Sequence, residues 1–319
     1  MLRYLTRRLI VLVPTLLLVS LIIFGLMHIL PGDVATMILM GPTGESGARP
    51  EDIAKITKEL GLDRSLPVQY ADWMLGVITL DAGDSLWSNE PIFREIGRRL
   101  PLTLELALLS TLVSLLVAIP TGIVAAVWAR SWLDYSARVF AIAGLTLPNF
   151  WVGTLIILFL VYQFGWTPPL GYTGFFEDPW RNLQQLIWPA LALGYYQAAL
   201  VSRMTRSSLL EVLREDYVRT ARAKGLREWA IIGRHALRNS LLPVVTLAAI
   251  QFGYTLGGTI VMETVFNLPG VGRYLVDAIA HRDYPVVQTL VLIFAVTFAL
   301  INLLVDLLYT RLDPRIRYG

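Results

Sequence analysis

The stretch from Leu9 to Leu30 is almost unbrokenly apolar, and it limits what this chain can fold into more than any other feature. A helix rises 1.5 Å per residue, so about 20 such residues cross the hydrocarbon core of a bilayer. Within that core each backbone polar group must be bonded inside the structure, which leaves helices and closed barrels as the possible spans. Five later stretches repeat the pattern: Leu102–Trp128, Val139–Phe164, Leu183–Val201, Leu241–Met262 and Val286–Tyr309. The second is interrupted by Pro120 and Gly122, the third by Pro148 and the fourth by Pro189 and Gly194. Such residues are tolerated in membrane helices when neighbours satisfy the freed backbone groups. Composition agrees, with 55% hydrophobic and 16% charged residues and a mean hydropathy of +0.59, against roughly 25% charged residues in soluble domains. The expected fold is an all-α membrane protein with six transmembrane helices.

Arg3, Arg7 and Arg8 precede the first span, as they would in a signal peptide. A signal peptide, however, has an apolar region of only about 7 to 15 residues and a small-residue cleavage site. This stretch is longer and leaves through His28-Ile29-Leu30-Pro31, so residues 1–30 read as a cytoplasmic N-terminus with an uncleaved anchor. Net charge is only +3, which gives no general affinity for nucleic acid. Cysteine is absent, which excludes disulfides, thiol nucleophiles and cysteine metal sites. His28, His235 and His281 fall in three separate segments, so no metal site is expected. The chain also lacks Gly-x-Ser-x-Gly, His-Glu-x-x-His and paired intramembrane aspartates, leaving no expected catalytic residue.

Residues 31–101 form a polar connection with helical punctuation. Pro50 opens a segment with Glu51 and Asp52 in its first turn, Ile53, Ile56 and Leu60 follow at helical spacing, and Gly61 is placed to end it. Pro67–Ile78 suggests a second helix with Trp73, Met74 and Val77 on one side, and Ile92, Ile96 and Leu100 a third that runs into the second span. Orientation follows from Lys and Arg in the connections. Between the fourth and fifth spans, Arg203, Arg206, Arg214, Arg219, Arg222, Lys224, Arg227, Arg234 and Arg238 outweigh Glu211, Glu215, Asp216 and Glu228. That connection belongs in the cytoplasm. Both termini and the short link holding Arg130, Asp134 and Arg138 then share its side, while residues 31–101 and the Trp-rich turn Gly165–Gln185 lie outside. Arg98 and Arg99 border a span on the outer side, where long loops are largely exempt from the charge rule.

The cytoplasmic connection has a pattern of its own. Leu209, Leu213, Tyr217 and Ala221 recur every four residues, Glu215 stands four before Arg219, and Gly225 occupies a helix-ending position. Trp229, Ile232, Ala236 and Leu237 suggest a second stripe, giving two short helices at a glycine elbow. On charge alone this is equally a polybasic loop lying on anionic lipid.

Tyr217-Val218-Arg219-Thr220-Ala221-Arg222-Ala223-Lys224-Gly225, followed by His235-Ala236-Leu237-Arg238-Asn239-Ser240-Leu241-Leu242-Pro243, resembles the EAA loop of ABC importer permeases in its oligopeptide and dipeptide version. Arg219-Thr220-Ala221 stands where the general pattern has Glu-Ala-Ala, and Leu242-Pro243 falls later, as in the peptide branch. Leu30-Pro31-Gly32-Asp33, Leu60-Gly61-Leu62-Asp63, Pro67-Val68-Gln69-Tyr70, Glu263-Thr264-Val265-Phe266 through Leu268-Pro269-Gly270-Val271-Gly272, and Arg282-Asp283-Tyr284-Pro285 extend the likeness along the chain. Asp81-Ala82-Gly83-Asp84-Ser85 departs from the family's usual Gly-Asp-Leu-Gly-x-Ser.

The resemblance implies a bacterial or archaeal cytoplasmic-membrane permease of the type I importer fold, driven by separate subunits. Residues 102–319 would be the core, and residues 203–240 would dock on the ATPase through Glu215, Asp216, Tyr217, Arg219, Thr220, Ala221, Arg222, Ala223, Lys224, Gly225, Leu226, His235, Arg238 and Asn239, with Pro243 beyond. Implied partners are two ABC ATPase subunits carrying ATP and magnesium, a second related permease in a heterodimer, an extracytoplasmic solute-binding protein, and lipid. No cofactor is expected on this chain, since none of its lysines, Lys55, Lys58 and Lys224, follows a glycine as a P-loop requires. Peptides are the first expected substrate; nickel, glutathione and sugars remain within the branch, and an ATP-independent transporter is a more distant alternative.

Polar groups inside spans are candidates for the translocation path. Asn149, Tyr196, Gln197 and Gln251 have that reading and a structural one beside it: relief of the Pro148 kink for Asn149, helix–helix hydrogen bonding for Gln197, and small-residue packing at Gly253 and Gly257 for Gln251. Glu105 stands near the outer end of its span, and Asp306 one helical turn from Asn302, within reach of Arg311.

Overall fold

A computed structural model describes residues 2–29, 36, 49–59, 61–169 and 171–312. Its described elements are all helical, apart from one isolated bridge between Asp84 and Pro91. The chain divides into two compact units, one formed by residues 1–100 with 274–300 and the other by 101–273 with 301–319.

In the first unit, α1 (Leu2–Ile29) carries Pro14 within it. Its last turns meet α3 (Leu66–Ile78) through polar contacts: Ser20 and Tyr70 hydroxyls lie 2.8 Å apart, and His28 Nε2 lies 3.2 Å from Gln69 Oε1. Phe24, Tyr70 and Trp73 form an aromatic cluster there. The helix opened by Pro50 is present as α2 (Pro50–Glu59), and it stops as expected, with Gly61 at φ +66° and the Leu62 N–H donating to Thr57 O at 2.9 Å. Ile92 and Ile96 are buried on α4 (Ile92–Val127), which continues without a break into the second apolar stretch. Arg98 and Arg99 both donate to Glu95, at 3.0 and 2.9 Å, so one carboxylate offsets part of their charge.

In the second unit α7 (Pro179–Val212) packs against α5 (Trp132–Thr146), α6 (Asn149–Phe164) and α9 (Leu237–Val265). Asp178 starts α7, its Oδ1 accepting the Trp180 and Arg181 N–H groups at 3.1 Å, with Pro179 just inside. Where α7 crosses α4, small residues let the backbones approach: a Cβ on Gly194 would lie 2.7 Å from Ser110 O, and one on Gly122 2.8 Å from Ser202 O. Leu102, Leu106, Leu186, Leu193, Met262 and Phe266 fill the space between these helices.

Two expectations need correction. The third span is not one helix, because Leu147 is extended (ψ 127°) ahead of Pro148, as the residue before proline is driven to be, and α5 and α6 meet at 105°. Gly257 does not make the close approach expected of it, since a Cβ there would meet nothing within 4 Å; Gly258 faces Leu193 instead, at 3.2 Å. Among the described residues, four helices have the length and apolarity to cross a membrane, or up to five with the bent pair, and α7 falls short on apolarity. Its buried polar residues, Asn182, Gln185, Gln197, Ser202, Thr205 and Ser208, dilute its hydropathy because it faces other helices. The side chains of Asp306 and Arg311, expected within reach of each other, lie outside the described residues, as does Leu30–Asp33 of the family resemblance.

Candidate functional site

The basic connection begins inside α7, which carries Arg203 and Arg206 and ends at Val212. A turn at Leu213–Glu215 leads into α8 (Asp216–Ala223). Leu209 and Tyr217 therefore do not share one helix, contrary to the four-residue repeat. The Glu215–Arg219 pair also fails to form, because Glu215 is the residue ahead of α8, and Arg219 donates to Asp216 Oδ1 at 3.3 Å. The buried face is shifted by one residue: Val218, with Ala221, packs on Ile231 and Leu213, while Tyr217 is 41% exposed. Thr220 turns inward to the backbone, its hydroxyl donating to Asp216 O at 2.9 Å.

Gly225 ends α8 as expected. It lies at φ +76°, its N–H donates to Arg222 O at 2.9 Å, and the Leu226 N–H reaches back to Ala221 O at 3.3 Å. This is the double hydrogen bond of a left-handed helix stop, which glycine adopts at least cost. Space around it is open, and a Cβ there would meet nothing within 4 Å. Beyond the elbow, a helical turn at Glu228–Ala230 passes through a π-helical turn, Ile231–Ala236, directly into α9. The expected second short helix is thus the entry of the fifth span. Its apolar stripe is also re-aimed, with Ile231 and Ala236 buried and Trp229 72% exposed.

Three contacts close the connection into one body. Arg222 donates to both Glu228 carboxylate oxygens, at 3.3 and 2.7 Å, and that hydrogen-bonded carboxylate holds the guanidinium above its ordinary pKa. Asn239 Nδ2 donates to the Tyr217 hydroxyl at 2.9 Å, and the Ser208 hydroxyl donates to Ser240 O at 3.0 Å. Ala223, Lys224, Leu226 and Arg238 are exposed and His235 is half-buried, while Pro243 lies inside α9. Tyr217, Leu226 and Trp229 are all exposed on this basic segment.

Two constellations were not singled out from the sequence. Asp134 is fully buried and accepts from Arg206 Nε at 2.8 Å and Nη2 at 2.9 Å, from Arg138 Nε at 3.1 Å and Nη2 at 2.7 Å, and from the Arg130 N–H at 2.9 Å. One carboxylate thereby clamps the start of α5 to α7 about two helical turns before the chain folds back at Leu213. At the other end of α9, Glu263 is fully buried; its Oε1 accepts from the Thr103 hydroxyl at 2.7 Å and its Oε2 from the Arg273 N–H at 2.9 Å. Thr103 in turn accepts the Val271 N–H at 3.0 Å, so both side chains satisfy the opening turn of α10 (Val271–Ala280). The available signal was a lone acid in the last turn of an apolar span.

Of the candidate path residues, Gln197 donates its amide to the Thr255 hydroxyl, which donates in turn to the backbone carbonyl of Gln251 in its own helix at 2.7 Å. Asn149 is half-buried as the first residue of α6, and Tyr196 is 37% exposed. Among the described residues no group of His, Cys, Asp and Glu side chains could hold a metal ion.

Comparison with solved structures finds the same fold. The MetNI methionine ABC transporter matches with a TM-score of 0.56 and 18% identity, over 68% of this chain and 96% of that one. An amino acid ABC transporter matches with a TM-score of 0.54 and 15% identity, over 68% and 94%. Among curated proteins, the glutathione transport system permease protein GsiC of Salmonella choleraesuis is 43% identical over the whole of both chains. The dipeptide transport system permease protein DppB of Alkalihalophilus pseudofirmus is 40% identical, also over the whole of both, and a putative peptide transport system permease protein of Brucella abortus is 41% identical over 96% of each. Residues 1–107 match the N-terminal component of binding-protein-dependent transport system membrane proteins. Residues 118–318 match the binding-protein-dependent transport system inner membrane component, and the chain belongs to that family of membrane permeases.

Proposed function

We propose that this chain is the permease subunit of an ATP-driven importer that carries small peptides into the cytoplasm. Its connection between α7 and α9 acts as the coupling element. The observation that carries this reading is the glycine elbow: a helix stop with open space around it, flanked by exposed Tyr217, Leu226 and Trp229 on an otherwise charged segment. Exposed aromatic side chains beside cations are what a protein groove would bury. ATP and magnesium reside on two separate ATPase subunits, a solute-binding protein delivers substrate from outside, and a second related permease completes the path. In this reading α7 is a sixth span shielded by its neighbours, and both termini lie in the cytoplasm. Relatives named for dipeptide and glutathione transport favour a peptide-like solute.

The test is uptake and ATP hydrolysis by the reconstituted importer with Gly225 changed. Gly225→Asp is expected to insert normally and to abolish both peptide uptake and substrate-stimulated hydrolysis. Gly225→Ala adds only the strain of a positive φ, about 1 kcal/mol, and is expected to retain most uptake. Normal uptake by Gly225→Asp would rule out docking at this elbow. Glutathione and a dipeptide, each as competitor of the other, decide which peptide class is carried.

A further inference from the structure

A second basic surface lies in the second unit, where α4 turns into α5. One face of α5 packs closely on α7: Asp134, Ala141 and Gly144 are buried, a Cβ on Gly144 would lie 2.9 Å from Ala199 Cβ, and the Tyr195 hydroxyl donates to Phe140 O at 3.0 Å. The opposite face is bare. Trp132, Tyr135, Val139 and Ile142 follow one another at intervals of three and four residues, which sets them on one stripe of the helix, and each is between 58% and 73% exposed.

Positive charge collects at one end of this stripe. Asp134 Oδ2 accepts both the Arg130 N–H and Arg138 Nη2, so the two arginines meet at one oxygen. The same carboxylate is wholly buried and also holds Arg206, so three arginines surround one acid and two positive charges are left over. Among the described residues no carboxylate pairs with the exposed Arg130 guanidinium. A guanidinium carries five N–H groups; Asp134 takes two from Arg138, and Tyr135 engages it through its hydroxyl and its ring, 4.6 Å from the guanidinium carbon. Arg138 thus keeps N–H groups for a further acceptor, and it is 43% exposed. From Arg130 to Ile142 the bare face passes from cation through aromatic ring to aliphatic chain. A bilayer leaflet presents the matching order of phosphate, interface and acyl chain. A water-soluble partner has no need of Val139 and Ile142, and a neighbouring membrane helix none of two uncompensated cations, whereas an anionic phospholipid matches both ends.

We propose that the α4–α5 turn and the bare stripe of α5 bind one anionic phospholipid. Its phosphate pairs with Arg130 and Arg138 as charge-assisted hydrogen-bond acceptor, Trp132 and Tyr135 border the glycerol, and an acyl chain runs along Val139 and Ile142. Because Arg138 also grips Asp134, the lipid sits one contact from the clamp that joins α5 to α7.

Native mass spectrometry of the full-length chain, released from detergent micelles that hold equal amounts of phosphatidylglycerol and phosphatidylcholine, tests the proposal through the affinity of the first lipid retained. Phosphatidylglycerol is expected to bind at least about tenfold more tightly than phosphatidylcholine, since each arginine near an anionic headgroup contributes about fivefold. Arg130→Gln is expected to weaken phosphatidylglycerol by about fivefold and Arg130→Lys to retain it, which separates loss of charge from loss of fold. Arg234→Gln, in the basic connection, is expected to leave it unchanged. Equal retention of the two lipids, or wild-type affinity in Arg130→Gln, overturns the site. An equal loss in Arg234→Gln also overturns it, because the lipid then follows diffuse charge. Displacement of phosphatidylglycerol by an equal concentration of its soluble headgroup, glycerophosphoglycerol, gives the arginines to a free phosphate and defeats the lipid assignment. Loss of the retained lipid when the chain is purified with a co-expressed second permease gives the stripe to that subunit and defeats it as well.

Discussion

Glu263 shows how a single buried acid can be structural when each oxygen is used. Its carboxylate fits only because Gly270 and Gly272 have no side chains: a Cβ on Gly270 would lie 2.2 Å from Glu263 Cδ, and one on Gly272 2.6 Å from Ile260 Cα. Gly270→Ala should therefore expel the carboxylate and leave the α10 N–H groups unmet, costing about 2 to 3 kcal/mol in unfolding of the detergent-solubilised chain. Gly257→Ala is the matched control, with open space at its Cβ, and should be neutral or slightly stabilising through helix propensity. Equal losses in the two variants would refute the lock. This residue also marks a limit of sequence reading. Gly225 was legible because its role is local, a helix stop set by its own backbone. Glu263 was visible only as the start of a motif, because its partner Thr103 lies 160 residues away.

At the scale of helices, the basic connection hangs between α9 and α7, and α7 is the one held by a buried charge. It leaves the apolar core, is gripped by Asp134 through Arg206, and ends where α8 turns back. Arg138 grips the same carboxylate from α5 but is 43% exposed, against 25% for Arg206 and 0% for Asp134. Asp134→Ala strands two guanidiniums and should cost about 3 kcal/mol, whereas Arg138→Ala leaves the bidentate Arg206 contact intact and should change thermal stability little. Comparable losses in Asp134→Ala and Arg138→Ala would place the grip elsewhere. Apolar length and proline positions made most helices readable beforehand, including the stop after Pro50 and the entry of Ile92 into α4. What remained hidden were directions. Pro148 announced a break but not its 105° angle, and the buried face of α8 lies at Val218 rather than Tyr217 because the helix begins only at Asp216. A periodicity read across an unseen turn carries the wrong phase.

Across the whole molecule, the functional reading depends on which side of the membrane each connection occupies. The charge rule predicts that residues 203–240 lie in the cytoplasm and the Gly165–Gln185 turn outside, and the two segments offer suitable reporters. Phe176 is 98% exposed in the turn, Trp229 is 72% exposed beyond the elbow, and the chain has no cysteine to confuse a label. Phe176→Cys should react with a membrane-impermeant maleimide in intact cells, and Trp229→Cys only after permeabilisation or in inside-out vesicles. Because α7 alone joins the two segments, opposite labelling also requires that α7 cross the bilayer, although its polar residues keep its hydropathy low. Labelling of both from one face would remove α7 as a span, and labelling of Trp229→Cys in intact cells would place the coupling segment on the wrong side for ATP.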